Sequence, residues 1–298
     1  MKVVVTGGAG YVGRAVVDEL ADAGHQVTVI DRRIVVKRPG VAFYEIDLLA
    51  DEIDPRWFER ADAVIHLAGA PLFGRYWTAR YRRELYDSRV ETARRIIAAI
   101  DELPASDRPK IVVSANAIGY YGDRGDEIMT ESSVEGTGYL AKLCRDWQAV
   151  WRPLESAGVR CVSVRTGIVI SELGGIMSRL RPLATVGFGV VPGRGRQWIS
   201  WVGLGDLVSI YRFALDTPTL SGAVNAVAPQ PLHYQDFARQ VTRYYSRPHM
   251  LAVPAWMIRL VLGRASAVLL DSARVKPVQL LDRGFVFRAT TIRQALDK

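Results

Sequence analysis

Residues 2–13 read KVVVTGGAGYVG, an apolar β-branched run that breaks into glycines and then opens a helix. The run predicts a strand, and each glycine answers a geometric demand of the turn and helix that come after the strand. Gly7 permits a tight turn off the strand, Gly10 lacks the Cβ that would keep a pyrophosphate from the backbone, and Gly13 lets the helix lie close to the strand. The helix opening at Tyr11 and Val12 points unpaired N–H groups and a positive dipole end at the same phosphates. A strand, a glycine turn and an amphipathic helix at this spacing form the signature of a dinucleotide site.

Strands and helices alternate outward from this unit. A helix over 11–24 leads to the strand HQVTVID, a short strand FYEI precedes Asp47, and ADAVIHLAG follows as a fourth strand. A long helix over 77–100, the strand KIVVSAN, a helix over 138–156 and the strand VRCVSVRTG complete the series. Nearly continuous Val/Ile strands separated by helices predict a parallel sheet covered on both faces. Right-handed crossovers make this a doubly wound α/β Rossmann sheet, with ligands outside the carboxyl ends of the strands. Beyond about residue 170 the alternation fades into GFGVVPGRGRQW and short helices. The predicted division is a nucleotide-binding core over 1–170 and a smaller mixed α/β lobe over 171–298, interwoven with the core and closing over a substrate.

Composition narrows the function classes. With 49% hydrophobic and 23% charged residues, the chain of 298 is ordinary for a folded soluble protein. No apolar run approaches a membrane span and the chain enters a strand at once, so a cytoplasmic protein without an anchor is expected. The net charge of +8 comes mostly from scattered arginines. The densest, Arg80, Arg82, Arg83, Arg94 and Arg95, share a predicted helix with Glu84, Asp87 and Glu91, the pattern of a solvated face rather than a nucleic-acid surface. A small-molecule substrate is expected, with monomer and homodimer both open. Cys144 and Cys161 have neither metal-ligand spacing nor a disulfide-rich context, so buried reduced thiols and no metal are expected.

The second strand ends in Asp31-Arg32-Arg33. A carboxylate at that point accepts both ribose hydroxyls of NAD, whereas an arginine pairs the 2′-phosphate of NADP. Both groups are present, so NAD and NADP stay open; repulsion between a fixed carboxylate and a phosphate tilts the balance to NAD. Asp47 and Leu48 end the third strand where such a pair flanks an adenine ring. Ala68 and Gly69 end the fourth, where small residues let a cofactor lie on the backbone. His66, inside that strand, reads as structural.

Thr6 through Gly13, His66-Leu67-Ala68-Gly69 and Tyr121-Gly122 resemble the extended short-chain dehydrogenase/reductases. More narrowly, Ser114 through Gly122, Leu143-Cys144-x-x-Trp147-Gln148, Arg165-Thr166-Gly167, Gly195-Arg196-Gln197-Trp198 and Trp201 through Asp206 resemble the atypical sugar-nucleotide epimerase-like subfamily, also labelled cell-division-inhibitor-like. The resemblance spans the chain, including Pro277 and Gly284-Phe285. It implies an NAD(P)-binding Rossmann fold with a C-terminal substrate lobe, and no particular substrate.

The superfamily's usual machinery is a serine after the fifth strand and a Tyr-x-x-x-Lys on the next helix, the lysine lowering the tyrosine's pKa. This chain departs at each point. Asn116 stands nearest the serine's place, and its amide can donate to a carbonyl oxygen; Ser114 lies two residues earlier on the same side. Tyr139 and Lys142 are three apart rather than four, with Leu143 where the lysine belongs. Positions i and i+3 share a helix face, so the pair stays a candidate beside a packing role for Tyr139. Tyr121, with Tyr120, is a rival proton donor. Ser114, Arg165 and Thr166 are expected near the nicotinamide. Arg196, Trp198 and Trp201, in a stretch with Arg194 and Gln197, suit an anionic or ring-bearing substrate such as a nucleotide sugar, or else form a structural turn.

The function expected is an NAD(P)-dependent oxidoreductase or epimerase that moves hydride to or from a carbonyl or hydroxyl substrate. The alternative, supported by the incomplete Tyr/Lys pair, is a redox-inert NAD(P)-binding regulatory or sensor protein.

Overall fold

Seven strands pair in parallel to form the central sheet: β1 (Lys2–Thr6), β2 (Gln26–Asp31), β3 (Val41–Glu45), β4 (Ala63–His66), β5 (Ile111–Ala117), β6 (Arg160–Thr166) and β7 (Gly222–Ala226). The computed structural model describes residues 1–33, 38–172, 174–186, 188–245 and 249–297. The strand order is β7-β6-β5-β4-β1-β2-β3. The direction of winding reverses between β1 and β4, which opens a crevice at the carboxyl edge of β1.

Alternation along each strand supplies a core on each face. Val3 and Val5 join Ile65, Val113 and Val164 on one side with Val16, Val17 and Leu20 of α1 (Tyr11–Asp22). Val4 faces the other way, with Val64, Val112, Ile96 and Ile100. A row of small polar residues crosses the sheet where Thr6, His66, Ser114 and Ser163 align in register. His66 is fully buried with Nδ1 2.7 Å from Thr6 Oγ1, and burial pushes its pKa down to about 4. The ring is therefore neutral at pH 7, and its place is structural.

The segment 77–100 departs from a single regular helix. α2 (Ala79–Tyr86) passes through a π-helical turn over Asp87–Glu91 into α3 (Thr92–Asp101). The widened turn rotates Arg89 and Val90 into the interior. The segment 138–156 likewise divides, into α4 (Tyr139–Ala149) and a short turn of helix at Arg152–Ser156 with Pro153 in its first turn.

Beyond residue 170 the chain serves two bodies. α5 (Leu204–Asp216) adds Leu207, Ile210 and Tyr211 to the core around α1, and β7 extends the main sheet. The rest gathers Ile170, Met177, Trp201, Phe237, Val241 and Ile292 into a second core. No described helix is long and apolar enough to cross a membrane.

Candidate functional site

The glycine loop is held in a conformation that a side chain would break. Gly7 has φ +76°, and a Cβ there would meet the Ala68 nitrogen at 2.5 Å. A Cβ on Gly13 would lie 2.2 Å from the Gly7 carbonyl oxygen. The Gly10 amide donates to that same oxygen at 3.1 Å, and no side chain caps the helix that begins after it. The amides opening α1 are thus available to an anion. The side chains of Tyr11 and Val12 turn away from the groove: the Tyr11 ring lies against Gly174 and Gly175, and Val12 packs on the core.

A groove of about 360 Å³ runs from this loop over the carboxyl ends of β2 and β4. Gly7, Gly10, Ala68 and Gly69 form its floor and Asp47 and Leu48 one end. Three arginines, Arg14, Arg32 and Arg33, line it. The Asp31 carboxylate, also in the lining, accepts from the Ala9 amide at 2.9 Å. That carboxylate therefore braces the glycine loop, and the groove's surplus charge is positive. Arg95 fastens the loop after β3 by donating to the Leu48 and Asp51 carbonyls, each at 2.6 Å.

Arg89 lies under the floor. Its guanidinium donates to the Leu85 and Ala70 carbonyls at 3.1 and 2.9 Å and sits 5.2 Å from the centre of the Trp147 ring. A Cβ on Gly69 would meet its central carbon at 3.1 Å. Among the described residues no carboxylate pairs with it, and burial pushes its pKa down. The π-helical turn thus places a buried cation beside Gly69 and Ala70.

A second cavity, of about 410 Å³, opens at the carboxyl ends of β5 and β6. Ala117, Ile118, Thr166 and Gly167 form one wall. Residues 67–77 link the two spaces, since Leu67 through Ala70 line the groove whereas Leu72, Phe73 and Trp77 line the cavity.

Of the residues expected to act there, the structure brings Thr166, Tyr139 and Trp198 to the cavity. Several others it places elsewhere. Asn116 is buried with both ends of its amide in use, donating to the Cys144 carbonyl at 3.0 Å and accepting from the Ala117 amide at 2.7 Å. It ties β5 to α4 and lies outside the lining of both the groove and the cavity. The Tyr121 hydroxyl is fully enclosed, 2.7 Å from Asn225 Oδ1, and receives an Arg165 N–H at 2.8 Å. Arg165 also forks onto Gln148 Oε1 at 2.9 and 3.1 Å, and its guanidinium lies 3.5 Å from the centre of the Tyr120 ring. Arg165 is thus a buried hub of side-chain contacts and lies outside the lining of the groove and of the cavity.

Tyr139 and Lys142 turn to different partners. The Tyr139 hydroxyl donates to the Arg82 carbonyl at 2.5 Å, and burial pushes its pKa up to about 12. The Lys142 ammonium turns outward to an exposed ion pair with Asp146. Ser114 is buried in the sheet interior, away from the groove lining. Trp201 is core, its indole donating to the Gln230 carbonyl at 3.2 Å, and Arg196 is exposed and outside the cavity lining.

One cavity residue escapes the sequence reading altogether. Asp271 lines the cavity, and among the described residues its carboxyl has no hydrogen-bond or ion-pair partner. Burial and the neighbouring charge of Asp123 push its pKa up to about 6. Nothing in the local sequence DSARVK marks it. Among the described residues no cluster of three or more His, Cys, Asp or Glu could hold a metal. Cys144 and Cys161 are free and buried, with thiols pushed up to about 11 and about 12 by burial.

Comparison with known proteins agrees with this architecture. An epimerase family protein of Mycobacterium tuberculosis is 35% identical over 99% of this chain and 96% of its own length. A chloroplastic homologue of epimerase family protein SDR39U1 from Arabidopsis thaliana is 31% identical over 99% of this chain and 86% of its own. Among solved structures, the human epimerase family protein SDR39U1 (isoform 2), crystallised with NADPH, superimposes with TM-score 0.85 at 28% identity, covering 99% of this chain and 97% of that one. A nucleoside-diphosphate sugar epimerase from Corynebacterium glutamicum gives 0.77 at 32% identity, covering 99% of this chain and 57% of that longer one. Residues 253–298 match a domain of unknown function. Residues 3–226 match the NAD dependent epimerase/dehydratase family, and the chain belongs to that family.

Proposed function

We propose that the protein binds NADPH in the groove and reduces a carbonyl compound held in the adjoining cavity. The carrying observation is the charge of the groove: Arg14, Arg32 and Arg33 line it against two carboxylates, Asp31, engaged by the Ala9 amide, and Asp47, 4.0 Å from the Arg32 guanidinium. An arginine at the end of β2 suits a 2′-phosphate, and this favours NADPH over the NAD that an unengaged Asp31 would favour. The human relative crystallised with NADPH supports the same choice. The residues present fit the cofactor, since the glycine loop that lines the groove has a backbone that a Cβ at Gly7 or Gly13 would break. The α1 amides and Gly10 would hold the pyrophosphate, Arg32 and Arg33 the 2′-phosphate and Leu48 the adenine, with the cofactor lying over Ala68 and Gly69.

NADPH supplies hydride to a carbonyl carbon. The chain must then supply a proton to the carbonyl oxygen, and Asp271 is the carboxyl in the cavity lining that can hold one near neutral pH. The oxygen becomes a hydroxyl and the carboxylate regains its proton from water.

Calorimetric titration of NADPH and NADH into wild type, Arg32→Ala and Arg33→Ala tests the cofactor half. NADPH is expected to bind at least tenfold tighter, with about tenfold of that lost in one of the variants and NADH unchanged, the size of a charge-assisted hydrogen bond. Equal affinities for the two cofactors overturn it. A second reading is favoured by the broken Tyr139–Lys142 pair: an NADPH-binding sensor without turnover. It gains if NADPH binds tightly yet no carbonyl compound in a broad panel oxidises it.

A further inference from the structure

We propose that the cavity takes an apolar, uncharged carbonyl compound, a ring or a medium-length alkyl chain, and not a nucleoside diphosphate sugar. The proposal rests on the carbonyl-reductase reading above and names its substrate class.

The walls carry the argument. Leu72, Phe73 and Trp77 approach from the segment after β4, Leu140 from α4, and Val268 and Leu269 from the chain preceding Asp271. Segments remote in sequence thus present side chains of one kind to a space of about 410 Å³. An apolar ligand there removes hydrocarbon from water on both sides at about 25 cal/mol per Å², whereas a hydrated diphosphate gains nothing from such walls.

Charge points the same way. Diphosphates are met by convergent arginine or lysine donors. Among the described lining residues the cations amount to Arg264 and the anions to Asp271. Asp123 stands close enough to Asp271 to repel its negative form, and Asp126 holds the Trp198 indole at 2.7 Å. Arg259 acts on Asp271 in the opposite sense, so beside Arg264 the cavity offers no convergent set of cations to a diphosphate. Arg194 and Arg196, which the sequence offered to an anionic substrate, are exposed and outside the lining. Arg274 is stacked on the Trp198 ring at 4.4 Å and is also outside it.

Polar handles are few. The Ser200 hydroxyl, at the cavity's edge, already donates to the Ala273 carbonyl at 2.8 Å and receives the Val275 amide at 2.9 Å. Asp271 keeps its hydrogen-bonding capacity free among the described residues. Asp271 and Arg264 are the two charged groups of a lining that is otherwise largely apolar, and such a cavity matches a ligand with a carbonyl oxygen and little else to hydrogen-bond.

The test uses the full chain and the uncharged fluorophore N-phenyl-1-naphthylamine. NADPH binding is first measured by its own fluorescence, which reports on the groove alone. The fluorophore is then titrated, and competitors are added: cyclohexanone, decanal and naphthaldehyde against UDP-glucose and UDP-glucuronic acid. The expected result is fluorophore binding that the apolar carbonyls displace and millimolar UDP-sugars do not, with an apolar carbonyl consuming NADPH. Leu140→Asp and Val268→Asp, checked for unchanged thermal melting, should each weaken the fluorophore at least tenfold. Displacement by either UDP-sugar, or no fluorophore binding by a protein that binds NADPH, overturns the proposal. Loss of NADPH binding with the fluorophore pattern intact overturns the cofactor reading instead and leaves the cavity's class standing.

Discussion

The Asp31 carboxylate accepts a hydrogen bond from the Ala9 amide at 2.9 Å, so the end of β2 holds the glycine loop from outside. If bracing is its task, removing the acceptor loosens the loop for either cofactor. Asp31→Ala is expected to weaken NADPH and NADH by the same factor, about three- to tenfold, which is the loss of one net hydrogen bond of about 1 kcal/mol. Asp31→Asn keeps an acceptor oxygen and should bind both nearly as wild type does. Parallel titrations decide the matter, and selective loss of NADH in Asp31→Ala would return the carboxylate to the ribose.

The Tyr139 hydroxyl is spent on the Arg82 carbonyl, and Lys142 points outward to Asp146. In a working dyad, removing the hydroxyl abolishes turnover. Here Tyr139→Phe should lower kcat for a reduced carbonyl no more than about threefold and cost about 1 kcal/mol of stability for the lost bond. Lys142→Ala removes an exposed ion pair and should shift stability by well under 1 kcal/mol with no change in kcat. Steady-state kinetics and urea melts check both, and a loss of a hundredfold or more in kcat for Tyr139→Phe would restore the dyad.

The sequence discloses what is set locally and hides what distant partners set. β1, β2, β4, β5 and β6 are buried on both faces and so read as Val/Ile runs. β7, with the sequence GAVNA, holds a single β-branched residue; pairing with β6 makes it a strand. The glycine loop is legible because Gly7 and Gly13 are demanded by backbone approach alone. Tyr121 is not, since its hydroxyl meets Asn225 from more than a hundred residues downstream. Arg89 is visible as a residue, but its inward turn depends on one π-helical turn that no helical pattern announces. Asp271 has no motif at all; a cavity built from several other parts of the chain gives it meaning.

Arg165 joins Gln148, Tyr121 and the Tyr120 ring inside the protein, with no carboxylate pairing it among the described residues. A lysine keeps the charge but cannot fork onto Gln148 while reaching Tyr121. Arg165→Lys should therefore destabilise the fold by about 2–3 kcal/mol, the cost of buried polar groups left unmet. The folded fraction should still bind NADPH within about threefold of wild type. Urea unfolding and cofactor titration separate the two effects. Weaker cofactor binding at unchanged stability would place Arg165 at the nicotinamide.

Asp271 links activity and stability to pH through one carboxyl. Its pKa in the folded protein is pushed up to about 6 by burial and by Asp123. A raised carboxyl pKa means the fold favours the protonated form. Its contribution is full below the ordinary carboxylate range and is lost as pH rises through about 6, after which a charge is held in the cavity at a cost. Asp271→Asn removes that cost. The variant should match wild type near pH 4 and exceed it by about 1 kcal/mol at pH 8, a figure discounted from the full shift because the group is only half-buried. The same ionisation governs proton delivery, so carbonyl reduction in wild type should fall as pH rises through about 6. Asp271→Asn should be slower by about a hundredfold at pH 5.5 and lack that descending limb. Thermal melts and kcat/KM profiles over this range test both arms. A variant that keeps the wild-type limb would move the proton to another group, whereas a stability difference flat with pH would mean that Asp271 is not held in the cavity.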